Sequence, residues 1–215
     1  MGWLGATLYD RLMRGAESKH FSEWRREALS EVRGDVLEIG AGTGANLRCY
    51  GETPTRLVML EPDKNMRKQL LAKLAQMPSD NPSSPTMPSH IEVGTAYAEN
   101  LPYDDNSFDW VVSTLVLCSV RDPEAALREC HRVLKPAGKL AFVEHVLDYE
   151  DEDNRQRQHR WQPVWGMLAA HCQVIRDTGR TIEECGFTLE TIERDRLRVG
   201  PRIVRPVIRG AAVAV

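Results

Sequence analysis

The 215-residue chain carries little that would direct it to a membrane, a secretory route or a nucleic acid. No stretch approaches the roughly 20 apolar residues that a spanning helix needs. The opening "MGWLGATLYDRLMRG" is no signal peptide, because its apolar run is short and Asp10 interrupts it. The myristoylation pattern wants Ser or Thr at the sixth position, and Ala6 stands there. A net charge of −3 offers no basic surplus for a nucleic-acid partner. The five cysteines are odd in number and show no C-x-x-C spacing, so they read as reduced thiols rather than a disulfide framework. No pair has zinc-ligand spacing, and no metal is expected. A chain that is 42% hydrophobic can bury one good-sized core, which excludes wholesale disorder. These absences together predict a soluble, cytoplasmic, single-domain protein without stable membrane insertion.

What is present is an alternation of short apolar runs and amphipathic stretches. Residues 7–31 have helical spacing, with Leu8 and Leu12 four apart and Phe21, Trp24 and Ala28 repeating between charges. Short strands are predicted at Val36–Ile39, Arg56–Leu60, His90–Val93, Phe108–Val116 and Lys139–Val146, with two later ones near Leu189–Glu193 and Gly210–Val215. Helices are predicted from Ala45 towards Tyr50, over Asn65–Gln76, and after Asp122 and Pro123, an N-cap followed by a proline at the first helical position. "KPAG" after Leu134 reads as a turn, and Thr181–Cys185 as a helix end closed by Gly186. Met77–Ser89, with four prolines and four serines, reads as a loop. The segment 148–160 is acidic, then basic, and reads as a solvated helix or loop, whereas "WQPVW" at 161–165 could cover a site. Strands alternating with helices imply a mostly parallel sheet with right-handed crossovers.

"VLEIGAGTGANL", Val36–Leu47, sets three glycines directly behind the first strand. A strand, a glycine loop and a helix place backbone N–H groups at the strand's C-terminal edge, where a ligand can approach closely. The loop satisfies the loose dinucleotide pattern G-x-G-x-x-G/A, which by itself decides little. Its neighbours narrow the ligand. Glu38 would add negative charge beside a pyrophosphate and suits an ammonium group instead. Glu61, 17 residues beyond Gly44 at the end of the second strand, can accept both hydroxyls of a ribose. "AENLPYDDNSFDWVV" leads into the fourth strand. A ligand with an amino-acid end, a ribose and an adenine would use all three places.

The E-I-G-A-G-T-G loop, Glu61, "AENLPYDDNSFD" and "ECHRVLKPAGKL" at 129–140 together resemble the class I S-adenosylmethionine-dependent methyltransferases, over about residues 34–146. The first and last of these stretches are similar to small-molecule enzymes of the ubiquinone/menaquinone type. "STLVLCSV" at 113–120, "VEHV" at 143–146, "HCQVIRDT" at 171–178 and "VGPRIV" at 199–204 extend the likeness to the methyltransferase-like seven group, the alkyl thiol methyltransferases. The resemblance implies a Rossmann-like α/β domain with a mostly parallel seven-stranded sheet and helices on both faces. It divides the chain into an N-terminal helical cap (1–33), a cofactor-binding core (34–146) and a substrate-side cap with the C-terminal strands (147–215). It implies S-adenosyl-L-methionine as cofactor and S-adenosyl-L-homocysteine as product. The implied cofactor contacts are Tyr9, Glu38, Gly40, Ala41, Gly42, Gly44, Asn46, Glu61, Pro62, Met66, Ala98, Glu99 and Leu115. Two departures stand out. The alkyl thiol enzymes carry an N-terminal anchoring segment that this sequence does not show. Tyr97 stands where relatives often place an aspartate on the adenine, so Glu99, the backbone of Ala98 or Tyr97 itself would serve there.

The reaction so implied is an in-line displacement that chiefly needs orientation, plus a base if the acceptor must lose a proton. His145, at the end of the fifth strand, and His171, behind the tryptophan segment, are the candidate catalytic residues. Trp161, Trp165 and Met167 could wall an apolar acceptor pocket, and Arg176 with Asp177 could pair or face the substrate. The acceptor is expected to be a small lipophilic molecule, with a thiol sulfur first and a quinol carbon or lipid amine as the alternative. An NAD-dependent oxidoreductase is opposed by Glu38 and by the lack of a second catalytic domain. A non-catalytic cofactor-binding protein stays open, as does the oligomeric state.

Overall fold

The structure, a computed structural model, describes residues 19–50, 54–77, 88, 90–169 and 171–215. Seven strands run in chain order: β1 (Gly34–Ile39), β2 (Pro54–Leu60), β3 (His90–Gly94), β4 (Phe108–Thr114), β5 (Leu134–His145), β6 (Phe187–Arg196) and β7 (Pro206–Ala214). Among the described residues five α-helices accompany them: α1 (Lys19–Leu29), α2 (Lys64–Ala75), α3 (Pro123–Val133), α4 (Glu152–Leu168) and α5 (Thr178–Glu184). The strands form a single sheet in the order β3-β2-β1-β4-β5-β7-β6. β1 to β5 pair in parallel, and β7 is antiparallel to both β5 and β6. The chain builds outward from β1 in one direction, then returns to β4 and builds the other way. That reversal opens a crevice outside the C-terminal ends of β1 and β4.

Successive residues of the central strands face two different apolar clusters, so both faces of the sheet are buried. Leu37, Ile39, Val58 and Leu60 pack with Ala126, Leu127 and Cys130 of α3 and Ile182 of α5. Val36, Leu57 and Met59 pack on the opposite face with Leu29 of α1 and Leu70 of α2. Four helices start on an aspartate whose carboxylate accepts an N–H of the first turn: Asp63, Asp122, Asp151 and Asp177. Each such cap is worth about 1 kcal/mol.

Several expected boundaries move. No helix follows the glycine loop at Ala45–Tyr50, where two turns stand instead, closed by Gly44 N to Ala41 O and Cys49 N to Asn46 O. Asn46 spends its side chain on buried polar partners rather than on a solvated helix face. The stretches 148–160 and 161–165, expected as separate pieces, mostly join in one 17-residue helix that tolerates Pro163. β5 begins at Leu134, and "KPAG" is a bulge within it, with Ala137 at φ +60° and a register shift against β4. β4 ends two residues early because Leu115 turns to φ +59°. Of the helix expected over 7–31, residues 19–29 are helical and those before 19 lie outside the described residues. Most of Met77–Ser89 lies outside them too.

Candidate functional site

A cavity of about 1510 Å³ occupies the crevice at the strand ends. Pockets for one drug-sized ligand run to roughly 300–1,000 Å³, so there is room for a cofactor and an acceptor together. The glycine loop forms one wall. Gly40, Gly42 and Gly44 all hold positive φ, at +56°, +57° and +78°. Their surroundings divide them. A Cβ on Gly40 would meet the Val116 side chain at 2.6 Å, and one on Gly44 would meet Leu47 and Leu70 at 2.7 Å. A Cβ on Gly42 would meet nothing nearer than a carbonyl at 3.9 Å. Gly44 is therefore a packing glycine off the cavity wall, and Gly42 is the one whose open side faces the space. Ala41 pins the loop by donating its N–H to Leu60 O at 2.8 Å.

Glu38 does not reach the cavity. It is 1% exposed and lies beneath the loop, accepting from Asn46 Nδ2 at 3.0 Å and from Tyr50 OH at 2.8 Å. Burial pushes its carboxyl up to about 7. Asn46 is likewise buried, and it passes the connection on. Its Oδ1 accepts from Arg25 at 2.5 Å, while the same Arg25 nitrogen donates to Thr114 Oγ1 at 2.9 Å. Arg25 and Thr114 do line the cavity. The sequence offered no way to separate buried Arg25 from its exposed neighbour Arg26.

Glu61, Pro62, Met66, Ala98 and Glu99 line the next section. The Glu61 carboxylate accepts from Gly42 N at 2.8 Å and from Asp63 N at 2.7 Å, one bond to each oxygen. Each oxygen keeps a second lone pair for another donor. Burial raises the Glu61 carboxyl above the ordinary range, against these two backbone bonds. Glu99 accepts from Arg121 N at 3.0 Å and so ties this section to the start of α3. Tyr97 is 64% exposed at the rim. Tyr9 lies outside the described residues.

The opposite section is built by the turn after β4. Leu115 donates its N–H to Val143 O at 2.8 Å and bends the chain at positive φ. The turn is held by Glu144, a fully buried carboxylate near the end of β5. Its Oε1 accepts from Ser113 Oγ at 2.7 Å, Val116 N at 3.0 Å and Leu117 N at 3.1 Å, and its Oε2 from Cys118 N at 3.1 Å. From the other side Arg176 donates to the carbonyls of Leu117 and Val120. Arg176 thus does not pair with Asp177, which instead caps α5 and accepts from Tyr149 OH at 2.7 Å. The cause is position: Arg176 points under the turn, and Asp177 starts a helix.

His171 lines the cavity from an exposed position at φ +67°. His145 is buried in β5 opposite Val207 and is not among the lining residues. Burial drives its imidazole down to about 4, so it is neutral near pH 7. Met167 and Leu168 join the wall, whereas Trp165 packs behind it with Cys118 and Cys172, and Trp161 faces solvent.

A methyltransferase-domain family profile matches residues 37–142, from β1 into β5. Rat thiol S-methyltransferase TMT1B is 32% identical over 96% of this chain and 85% of its own. Human thiol S-methyltransferase TMT1A is 31% identical over 96% of this chain and 81% of its own. The chain belongs to the family of these enzymes. It is an S-adenosylmethionine-dependent methyltransferase. A SAM-dependent methyltransferase of Thermotoga maritima, described as a possible histamine N-methyltransferase, shares the fold with a TM-score of 0.62. It is 19% identical and covers 97% of this chain and 94% of its own. The cavity suits the cofactor: Gly42 leaves backbone open to it, Glu61 offers acceptor lone pairs, and Met66 and Ala98 provide an apolar edge.

Proposed function

We propose that this chain methylates the sulfur of a small lipophilic thiol. The charge of the acceptor-side wall carries the reading. Between Leu115 and Val120 and between Met167 and Arg176, the described lining holds Ser119, His171, Gln173 and Arg176 among apolar groups, and no carboxylate. An amine acceptor would gain from a nearby acid, while a thiolate gains from the positive charges of Arg176 and the adjoining Arg121. An alkyl thiol titrates at about 8.5 by analogy with cysteine, so a few per cent is already thiolate at neutral pH.

When bound, the cofactor supplies a methyl group on a sulfonium. On this reading Gly40, Ala41 and Gly42 present backbone to its amino-acid end, with Arg25 and Thr114 at the far side. Glu61 accepts the ribose hydroxyls, and Pro62, Met66, Ala98 and Glu99 flank the adenine. Glu38 and Asn46 act through Arg25 rather than by touch. Leu115, Met167 and Leu168 exclude water and orient the acceptor. His171, at the wall, can take the thiol proton, a role its position favours over that of buried His145. Residues 34–146 then form the cofactor half and 147–215 the acceptor half. Among the described residues no helix is long and apolar enough to cross a membrane, and no disulfide forms.

The test is release of S-adenosylhomocysteine with a short alkanethiol, against a control without acceptor. Thiol-dependent turnover is expected. Cofactor binding without thiol-dependent turnover would overturn the acceptor and leave the cofactor.

A further inference from the structure

Two buried thiols just behind the acceptor-side wall have no part in the reading above. Cys118 lies in the turn that Glu144 holds, and Cys172 follows His171. They pack in one apolar cluster with Val174 and Val204. The segments that carry them are joined by a backbone bond, Gln173 N to Cys118 O, at 2.7 Å. Gln162 of α4 clasps the second segment, donating to Cys172 O at 3.0 Å and accepting from Val174 N at 2.8 Å. The backbones that carry the two thiols are thus tied together, and each thiol is one residue from the cavity wall, at Ser119 on one side and at His171 and Gln173 on the other. The other three cysteines stand apart from this cluster.

We propose that Cys118 and Cys172 form a redox-active dithiol that exchanges with small apolar disulfides entering the cavity. The two thiols are unequal. The neighbouring Cys118 thiol pulls Cys172 below the ordinary thiol range, against the burial that opposes ionisation. Cys118 is pushed well above that range by the same contact and by its own burial. Cys172 is thus the attacking group, since the thiolate is the nucleophile in exchange. Its sulfur bonds to one sulfur of the entering disulfide, whose S–S bond breaks. The departing sulfur leaves as a thiolate and takes up the proton that Cys172 gave up. Cys118 then attacks the Cys172 sulfur of the mixed disulfide, releases the second small thiol with its own proton, and leaves a Cys118–Cys172 bond. The protein dithiol is oxidised and one disulfide is reduced to two thiols. This exchange stands apart from the methyl-transfer reading, and its test reads thiols rather than turnover.

The full chain, reduced and freed of reductant without oxygen, is mixed with 2-hydroxyethyl disulfide. It is then denatured, alkylated and mapped by mass spectrometry. The expected result is loss of two of the five thiols, one cross-linked peptide pair joining Cys118 and Cys172, and two small thiols released per chain. C118S is expected to stop at a mixed disulfide on Cys172 with one thiol released. Five alkylatable thiols in the wild type, or losses confined to Cys49 and Cys185, would overturn the proposal. The wild-type measurement stands even if the variant does not fold.

Discussion

Replacing Glu144 by glutamine changes one atom of a buried carboxylate and tests what shapes the acceptor side. The carboxylate accepts four hydrogen bonds, three at Oε1 and one at Oε2. An amide has a single acceptor oxygen. Placed at the Oε1 position it keeps Ser113, Val116 and Leu117, but its NH2 then confronts the Cys118 N–H, donor against donor. The reverse placement sets the NH2 against Val116 and Leu117 and is worse. The variant therefore strands at least one buried N–H, which costs about 1–3 kcal/mol, and it weakens the bonds that remain because their acceptor is no longer charged. Relief of the carboxylate's burial cost offsets part of this, and a net loss of about 2 kcal/mol is expected near neutral pH. Burial raises the Glu144 carboxyl above its ordinary 4.5. Between 4.5 and that raised value the folded wild type holds a proton that the unfolded chain has lost, so its stability falls as pH rises through that window and is level beyond it. Glutamine removes that fall, so the gap between wild type and variant should narrow with rising pH. Urea unfolding followed by tryptophan fluorescence from pH 4 to 8 measures it. Activity should drop by about 100-fold, the effect of a wall misplaced by roughly 1 Å. A variant of wild-type stability and activity, with a gap independent of pH, would refute the claim that this carboxylate holds the turn.

Three further outcomes follow from the same geometry. Glu61→Gln should weaken S-adenosylhomocysteine binding in calorimetry by 1–3 kcal/mol, about 5- to 150-fold, and unchanged affinity would remove Glu61 from the ribose. Gly42→Val should abolish that binding in a chain that still folds. Its side chain enters open space, and the positive φ costs roughly 1–3 kcal/mol. Normal binding by this variant would mean the loop does not touch the ligand. Glu38, pushed up from 4.5 to about 7, and His145, driven down from 6.5 to about 4, oppose each other between pH 4.5 and 6.5. There the folded state holds one proton more than the unfolded chain at Glu38 and one fewer at His145, so slopes of about 1.4 kcal/mol per pH unit cancel. His145→Gln removes the opposing slope and should make stability fall more steeply than in wild type as pH rises through that window, and a profile parallel to wild type would refute the pairing.

The central strands β1, β2 and β4 were legible because they are buried on both faces and each is a short apolar run between breakers. Asp122 with Pro123 announced α3 for a similarly local reason. The mostly parallel sheet was therefore readable from the alternation of strands and helices, the seven-stranded Rossmann-like fold from the family resemblance, and the place of the ligand from the glycine loop and Glu61. The helix expected after the loop was misread because Ala45–Tyr50 has no local signal against helix. What opposes it is Asn46, committed to Arg25 on one distant element and Thr114 on another. The continuation of α4 through "WQPVW" was hidden by Pro163, which usually ends a helix but removes only one backbone donor. Arg25 and Arg26 are neighbours of one type, and only the packing of α1 on the sheet decides which is buried.

Motif residues at the strand ends divide by a physical criterion that no linear pattern contains. A carboxylate within a parallel strand has an apolar layer on either side, so it persists only where several donors converge on it. In this chain the converging donors belong to the loops that follow the strands. Glu38 on β1 gathers Asn46 and Tyr50 from beyond the glycine loop, and Glu144 on β5 gathers three N–H groups of the turn after β4. Glu61, one residue past the end of β2, gathers two backbone donors and lines the cavity. Glu38 also gathers two, but from side chains packed beneath the loop, and it does not reach the cavity. What surrounds the carboxylate, and not its residue type, thus separates acids that hold the site from the acid that can bind in it.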